Sequence, residues 1–149
     1  MEIKQELYKL CEAYVNKRLQ TVEEIIFSNQ KALQSETKSS AGDKHETGRA
    51  MLQLEMEKAS QQLSGVTLMK ETLAKLNVAK TSKIAHLGSV VITNTANYFL
   101  SISVGQLVVE DKVYFAISVS SPIGKLLLGK KVNDEVIFNG KEIKIKSVF

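Results

Sequence analysis

Asp43 and Glu46 are the first residues to weigh for chemistry, two carboxylates three positions apart in a polar stretch. On spacing alone, an aspartate followed three residues later by a glutamate reads as a capping box at the start of a helix. His45 stands between them. An imidazole can ligate a metal or shuttle a proton, but a single histidine beside a turn, with no second one near it in sequence, reads as solvated. His86 has no ligand-like neighbour at all. Cys11 is the only cysteine, which excludes an intramolecular disulfide. No histidine lies near it in sequence to act as a base, and it falls on an apolar stripe, so it reads as a small buried hydrophobe. Ser121-Pro122 and Gly129 mark the two ends of a short helix, with serine as N-cap, proline at the first helical position and glycine past the end.

The elements that must position these residues follow two different periods. In the first half, which has no proline, Leu7, Cys11 and Tyr14, then Val22, Ile25, Asn29 and Leu33, recur at steps of three and four, with Arg18 on the stripe between the two groups and Leu19 beside it, an imperfect but long helical stripe. Leu52, Met56, Ala59, Leu63, Val66, Lys70 and Leu73 repeat a 4,3,4,3 spacing and supply a partner helix. Between the stripes, Ser35 to Asp43 holds no large apolar residue, as suits an exposed reversal. Together these predict an antiparallel coiled-coil hairpin over residues 1–76 with its tip near 38–46. Arms of about 35 residues at 1.5 Å each extend roughly 50 Å, the dimensions of a probe. Gly65, inside the second helix, could mark a bend. A short polar linker is expected at 77–83.

Beyond the linker, runs rich in β-branched residues at Ser89–Thr93, Tyr98–Ser103 and Val113–Val119 predict strands. Asn139-Gly140 suits a type I′ turn closing a β-hairpin between Val136-Ile137-Phe138 and Lys141–Val148, where Ile143 and Ile145 alternate with Lys144 and Lys146. Residues 84–149 thus form a small β-rich domain with one short helix, and the fold class is α+β.

Bulk composition bounds the rest. The chain has 149 residues, 44% hydrophobic and 24% charged, with no apolar run long enough to span a bilayer and no secretory signal at its start, so a cytoplasmic protein is expected. The net charge of +4 is too small to require nucleic acid as partner. Lys17, Arg18, Lys31 and Lys38 are interleaved with Glu12, Glu23, Glu24 and Glu36 and read as a solvated face rather than a basic path. A monomer is expected, because the short turn makes pairing of the two stripes local.

Two segments carry a resemblance. Ser121-Pro122-Ile123 with Leu127-Leu128-Gly129-Lys130, followed by Asp134-Glu135-Val136, is similar to the Ser-Pro-Ile, Leu-Ile-Gly-Lys and Gly-Asp-Val-Val segments of the bacterial Gre transcript-cleavage factors, the GreA and GreB type. Gly42-Asp43-Lys44-His45-Glu46 is similar to that family's tip motif, Gly-Asp-x-x-Glu. The resemblance covers nearly the whole chain. It implies that residues 84–149 are a domain like the FK506-binding proteins in fold, docking on bacterial RNA polymerase through Ser121, Pro122 and Ile123. It also implies that the hairpin enters the secondary channel toward the nascent RNA 3′ end. Asp43 and Glu46 would there help hold a magnesium ion shared with the polymerase active site, with no cofactor bound stably by the chain itself; oxygen donors of this kind suit magnesium, which keeps several waters. On this implication the chain is an accessory transcription elongation factor and the polymerase is the enzyme.

The family's motif continues Asn-Ala-Glu-Tyr, whereas this chain reads Thr47-Gly48-Arg49-Ala50, so an acid and an aromatic are replaced. A regulator that occupies the channel without stimulating cleavage is therefore the alternative. A prolyl isomerase-like enzyme is a third reading, resting on fold alone.

Overall fold

In a computed structural model the backbone is described for residues 2–38 and 43–149, and the side chains for 2–35 and 47–149. The chain is α+β. Two long helices, α1 (Glu2–Lys38) and α2 (Asp43–Lys75), precede strands β1 (Val90–Thr93), β2 (Asn97–Ser101), β3 (Gly105–Val109) and β4 (Lys112–Ser118). A short helix, α3 (Pro122–Leu127), and strands β5 (Glu135–Phe138) and β6 (Lys141–Val148) complete it. The chain divides into two compact units, Val15–Lys70 and a second made of Met1–Tyr14 with Glu71–Phe149.

Among the described residues of the Val15–Lys70 unit, the buried ones are Val15, Val22 and Asn29 on α1 with Ala59 and Val66 on α2. Leu19, Ile26, Leu33, Leu52, Met56 and Leu63 are half-buried between them. Two helices separated by residues 39–42 can share one seam only by running antiparallel. The seam differs from the expected stripe at three places. Val15 rather than Tyr14 is fully buried, Ile26 rather than Ile25 turns inward, and Met69 rather than Lys70 sits at the edge. In each case the neighbour one position away carries the seam, which a strict count from Cys11 or Val66 misses. Helix α2 continues through Gly65 without interruption, and a Cβ there would meet nothing within 4 Å.

The second unit is built on a mixed sheet of order β3-β4-β2-β1-β6-β5, in which β2 and β4 are parallel and every other neighbouring pair is antiparallel. Val91, Leu100, Val136, Ile143 and Ile145 face α3, packing with Ile123, Leu127 and Ala85 into one core. Alternation turns Val90, Phe99, Ser101, Tyr114 and Ala116 to the opposite face, and all five are buried. The first turns of α1 lie against that face, for Cys11 Sγ is 3.8 Å from Ser101 Oγ. Because both faces are covered, the central strands read as unbroken apolar runs such as Tyr98-Phe99-Leu100 rather than as alternation.

The hairpin of β5 and β6 turns on Asn139 and Gly140, both with positive φ (51° and 78°), as their sequence requires. Strand β3 carries no such signal. It pairs with β4 through Glu110 and Asp111, also at positive φ (52° and 65°), a turn made without glycine or asparagine.

Candidate functional site

The residues of the candidate docking segment surround α3. Ser121 is its N-cap, and the hydroxyl works in both directions: Oγ accepts from Gly124 N–H at 3.1 Å and donates to the Ser118 carbonyl at 2.6 Å. Pro122 begins the helix, where its missing N–H is no loss, and its side chain is exposed. Ile123 points the other way, into the core with Leu127. Of the three expected contact residues, Pro122 and in part Ser121 are therefore accessible, while Ile123 holds α3 on the sheet. Gly124 is fixed by crowding, since a Cβ there would collide with the Ser118 carbonyl oxygen. Gly129, at φ 82°, reverses the chain after α3 and donates to the Ala85 carbonyl at 2.8 Å.

Asp43 and Glu46 both fall in the first turn of α2. Their side chains, like that of His45, lie outside the described residues, as does the expected tip at 39–42. Among the described residues no group of three or more His, Cys, Asp or Glu side chains could hold a metal ion. No helix among them is long and apolar enough to cross a membrane.

The remaining candidates are structural in their surroundings. Cys11 is fully buried, and burial pushes its thiol up to about 11, with the contact to Ser101 pulling weakly the other way. A thiol so shielded is a poor nucleophile. His86 Nδ1 lies 2.8 Å from Ser89 Oγ and 3.2 Å from the Ile84 carbonyl, while its own N–H donates to Ser89 Oγ at 2.9 Å. Ser89 is completely buried, so this pair ties a loop together and presents no hydroxyl to a substrate. Of the aromatic residues in the sheet, Phe99 and Tyr114 are buried, and Tyr98 and Phe115 pair at 6.3 Å between ring centroids. Burial raises the Tyr114 hydroxyl above its usual range, with the charge of Glu110 adding to the effect.

Two features carry no clear sequence signal. Lys4 is fully buried in the first turns of α1, where Nζ donates to the Lys80 carbonyl at 2.7 Å and burial lowers its affinity for a proton. Its position one turn before Leu7 was the only hint. The second is a group of exposed aliphatic side chains, Ile84, Leu128 and Val132, on two segments joined by the Ile84–Lys131 bridge.

No protein-family model matches the chain, and a search of curated proteins finds no match.

Proposed function

We propose that the protein is a Gre-like accessory factor of bacterial RNA polymerase, with a helical hairpin that reaches the enzyme's active centre and a sheet domain that docks outside it. The observation that carries this reading is the coincidence of two elements in one chain. Asp43 and Glu46 of the Gly-Asp-x-x-Glu motif fall in the first turn of α2, the second of two long helices, and Ser121-Pro122-Ile123-Gly124 opens α3 in a separate sheet unit. Helix α1 alone runs 37 residues, roughly 55 Å, more than a small domain needs to cover one face of a sheet.

On this reading Asp43 and Glu46 would hold, through carboxylate oxygens, a magnesium ion shared with the polymerase active site, and that ion would supply the Lewis-acid chemistry for hydrolysis of a backtracked transcript. The chain contributes carboxylates at the end of a long arm, and the polymerase contributes the remaining ligands and the RNA. Thr47-Gly48-Arg49-Ala50, which replaces an acid and an aromatic by neutral and basic residues, favours a second reading: occupancy of the channel without cleavage.

Transcript cleavage by a stalled, backtracked polymerase from the same organism separates the two, measured with the intact protein and with an Asp43→Ala, Glu46→Ala variant. Cleavage that rises with the protein and disappears in the variant supports the first reading. Binding to polymerase without any cleavage supports the second, and absence of both rejects the proposal.

A further inference from the structure

The end of α3 opposite Pro122 carries a surface that the polymerase reading does not use. Leu128 follows the last residue of α3 and is 42% exposed; Val132 is 43% exposed and Ile84 54%. These are aliphatic side chains of the kind that normally fill cores, and here they are held in water by backbone pairing. Ala85 N–H donates to the Lys130 carbonyl and Gly129 N–H to the Ala85 carbonyl, both at 2.8 Å, and Ile84 bridges Lys131. Residues paired across an antiparallel bridge project to the same side, so Ile84 and Lys131 emerge together. Ala85, the next residue, turns inward to the core, which fixes which way Ile84 must face.

Lysines alternate with these aliphatic residues along the same two segments. Lys83 precedes Ile84, Lys130 and Lys131 lie between Leu128 and Val132, and Lys125 occupies the last turn of α3; Lys83, Lys125 and Lys131 are exposed and Lys130 half-buried. The acids in the same stretch are Asp134 and Glu135. Asp134 is half-buried and accepts from Lys131 N–H at 2.9 Å through Oδ2, and Glu135 pairs across the strand with Lys144. Two short segments hydrogen-bonded to each other thus expose three aliphatic side chains and carry four lysines among them.

From this we infer that Ile84, Leu128 and Val132, together with Lys83, Lys125, Lys130 and Lys131, dock an acidic amphipathic protein segment, aliphatic on one side and rich in Asp and Glu at its edges. Charge complementarity sets the sign of the partner, and the exposed aliphatic centre sets its class. An apolar core within a charged rim is the anatomy of a protein interface. RNA recognition by stacking calls for exposed aromatic or guanidinium planes, and these aliphatic residues provide neither. A preformed surface spares the partner the cost of ordering it, so a short segment suffices.

Selection from a displayed random-peptide library on the full-length protein tests this, followed by NMR mapping of the enriched peptides. Enriched sequences should carry Asp and Glu beside Leu, Ile or Phe and should shift amides of 83–85 and 125–132. Ile84→Ser with Leu128→Ser should weaken the best peptide by about thirtyfold or more. Lys83→Glu with Lys131→Glu should weaken it severalfold and flatten its salt dependence. All four positions are exposed, so the thermal unfolding of both variants should match the parent. Peptides without acids, shifts mapping elsewhere, or unchanged affinity in both variants overturns the inference. So does patch-dependent binding of phosphatidylserine-containing vesicles, or of single-stranded RNA, with no peptide enriched.

Discussion

The carbonyl oxygen of Ser118 occupies the space where a side chain on Gly124 would begin, and the Ser121 hydroxyl bonds to both of these residues. Ser121 and Gly124 of the Ser-Pro-Ile-Gly segment are thereby explained by the start of one short helix. Gly124→Ala must push the Ser118 backbone away from the N-cap and should destabilise the protein by about 2–3 kcal/mol. Ser121→Ala, which removes a cap, should cost about 1 kcal/mol. Gly65→Ala, placed in open space on an uninterrupted helix, should stabilise by about 1 kcal/mol. Urea unfolding of the three variants checks both the order and the opposite sign.

Asn29 is buried in the seam between α1 and α2, and its Nδ2 has no hydrogen-bond partner among the described residues. A buried donor left unsatisfied costs about 1–3 kcal/mol. Asn29→Leu, close in volume and apolar, should recover much of that and slow amide exchange in the segments of α1 and α2 that share the seam near Asn29. Unchanged exchange in these segments would show that the amide finds a partner in solution.

Cys11 and Lys4 give stability a pH dependence of opposite sign. The Cys11 thiol is held at about 11 in the folded protein against 9.0 ordinarily, so its contribution is complete below pH 9 and is lost as pH rises through 11, by up to about 2–3 kcal/mol. Lys4 is shifted downward by burial, so its folded form is penalised while charged; that penalty lifts as pH rises through the lowered value toward 10.5. Cys11→Ala should reduce the alkaline fall in stability, leaving the part that the buried Tyr114 hydroxyl contributes, and Lys4→Met should remove the alkaline gain. Denaturation midpoints between pH 7 and 11 read both. The same burial predicts that a disulfide reagent modifies Cys11 only in step with unfolding.

Much of this architecture is legible in the sequence where local chemistry dictates it. Asn139-Gly140 demands positive φ and forms the turn, Ser121-Pro122 begins a helix, and the 4,3 spacing of α2 pairs it with α1. Strand β3 is not legible, because its turn places Glu110 and Asp111 at positive φ without the glycine or asparagine that marks such a turn in a sequence. The parallel pairing of β2 with β4 leaves no local mark either, being a property of chain path. Lys4 escapes notice because lysine so rarely lies fully buried, and the bond from its Nζ to the distant Lys80 carbonyl has no mark in the sequence. The candidate docking segment was found by motif, but which of its side chains face solvent was not: Ile123 and Pro122 are adjacent and point in opposite senses.

The most direct test of the proposed function places a photo-crosslinking amino acid at Thr47, in the first turns of α2 next to Glu46, and irradiates the protein bound to a backtracked polymerase whose transcript is labelled at its 3′ end. The proposal predicts crosslinks to the catalytic subunit beside the active centre and to the labelled RNA, lost when polymerase is omitted. Crosslinks confined to the outer surface of the enzyme, or none at protein concentrations that saturate binding, would contradict it.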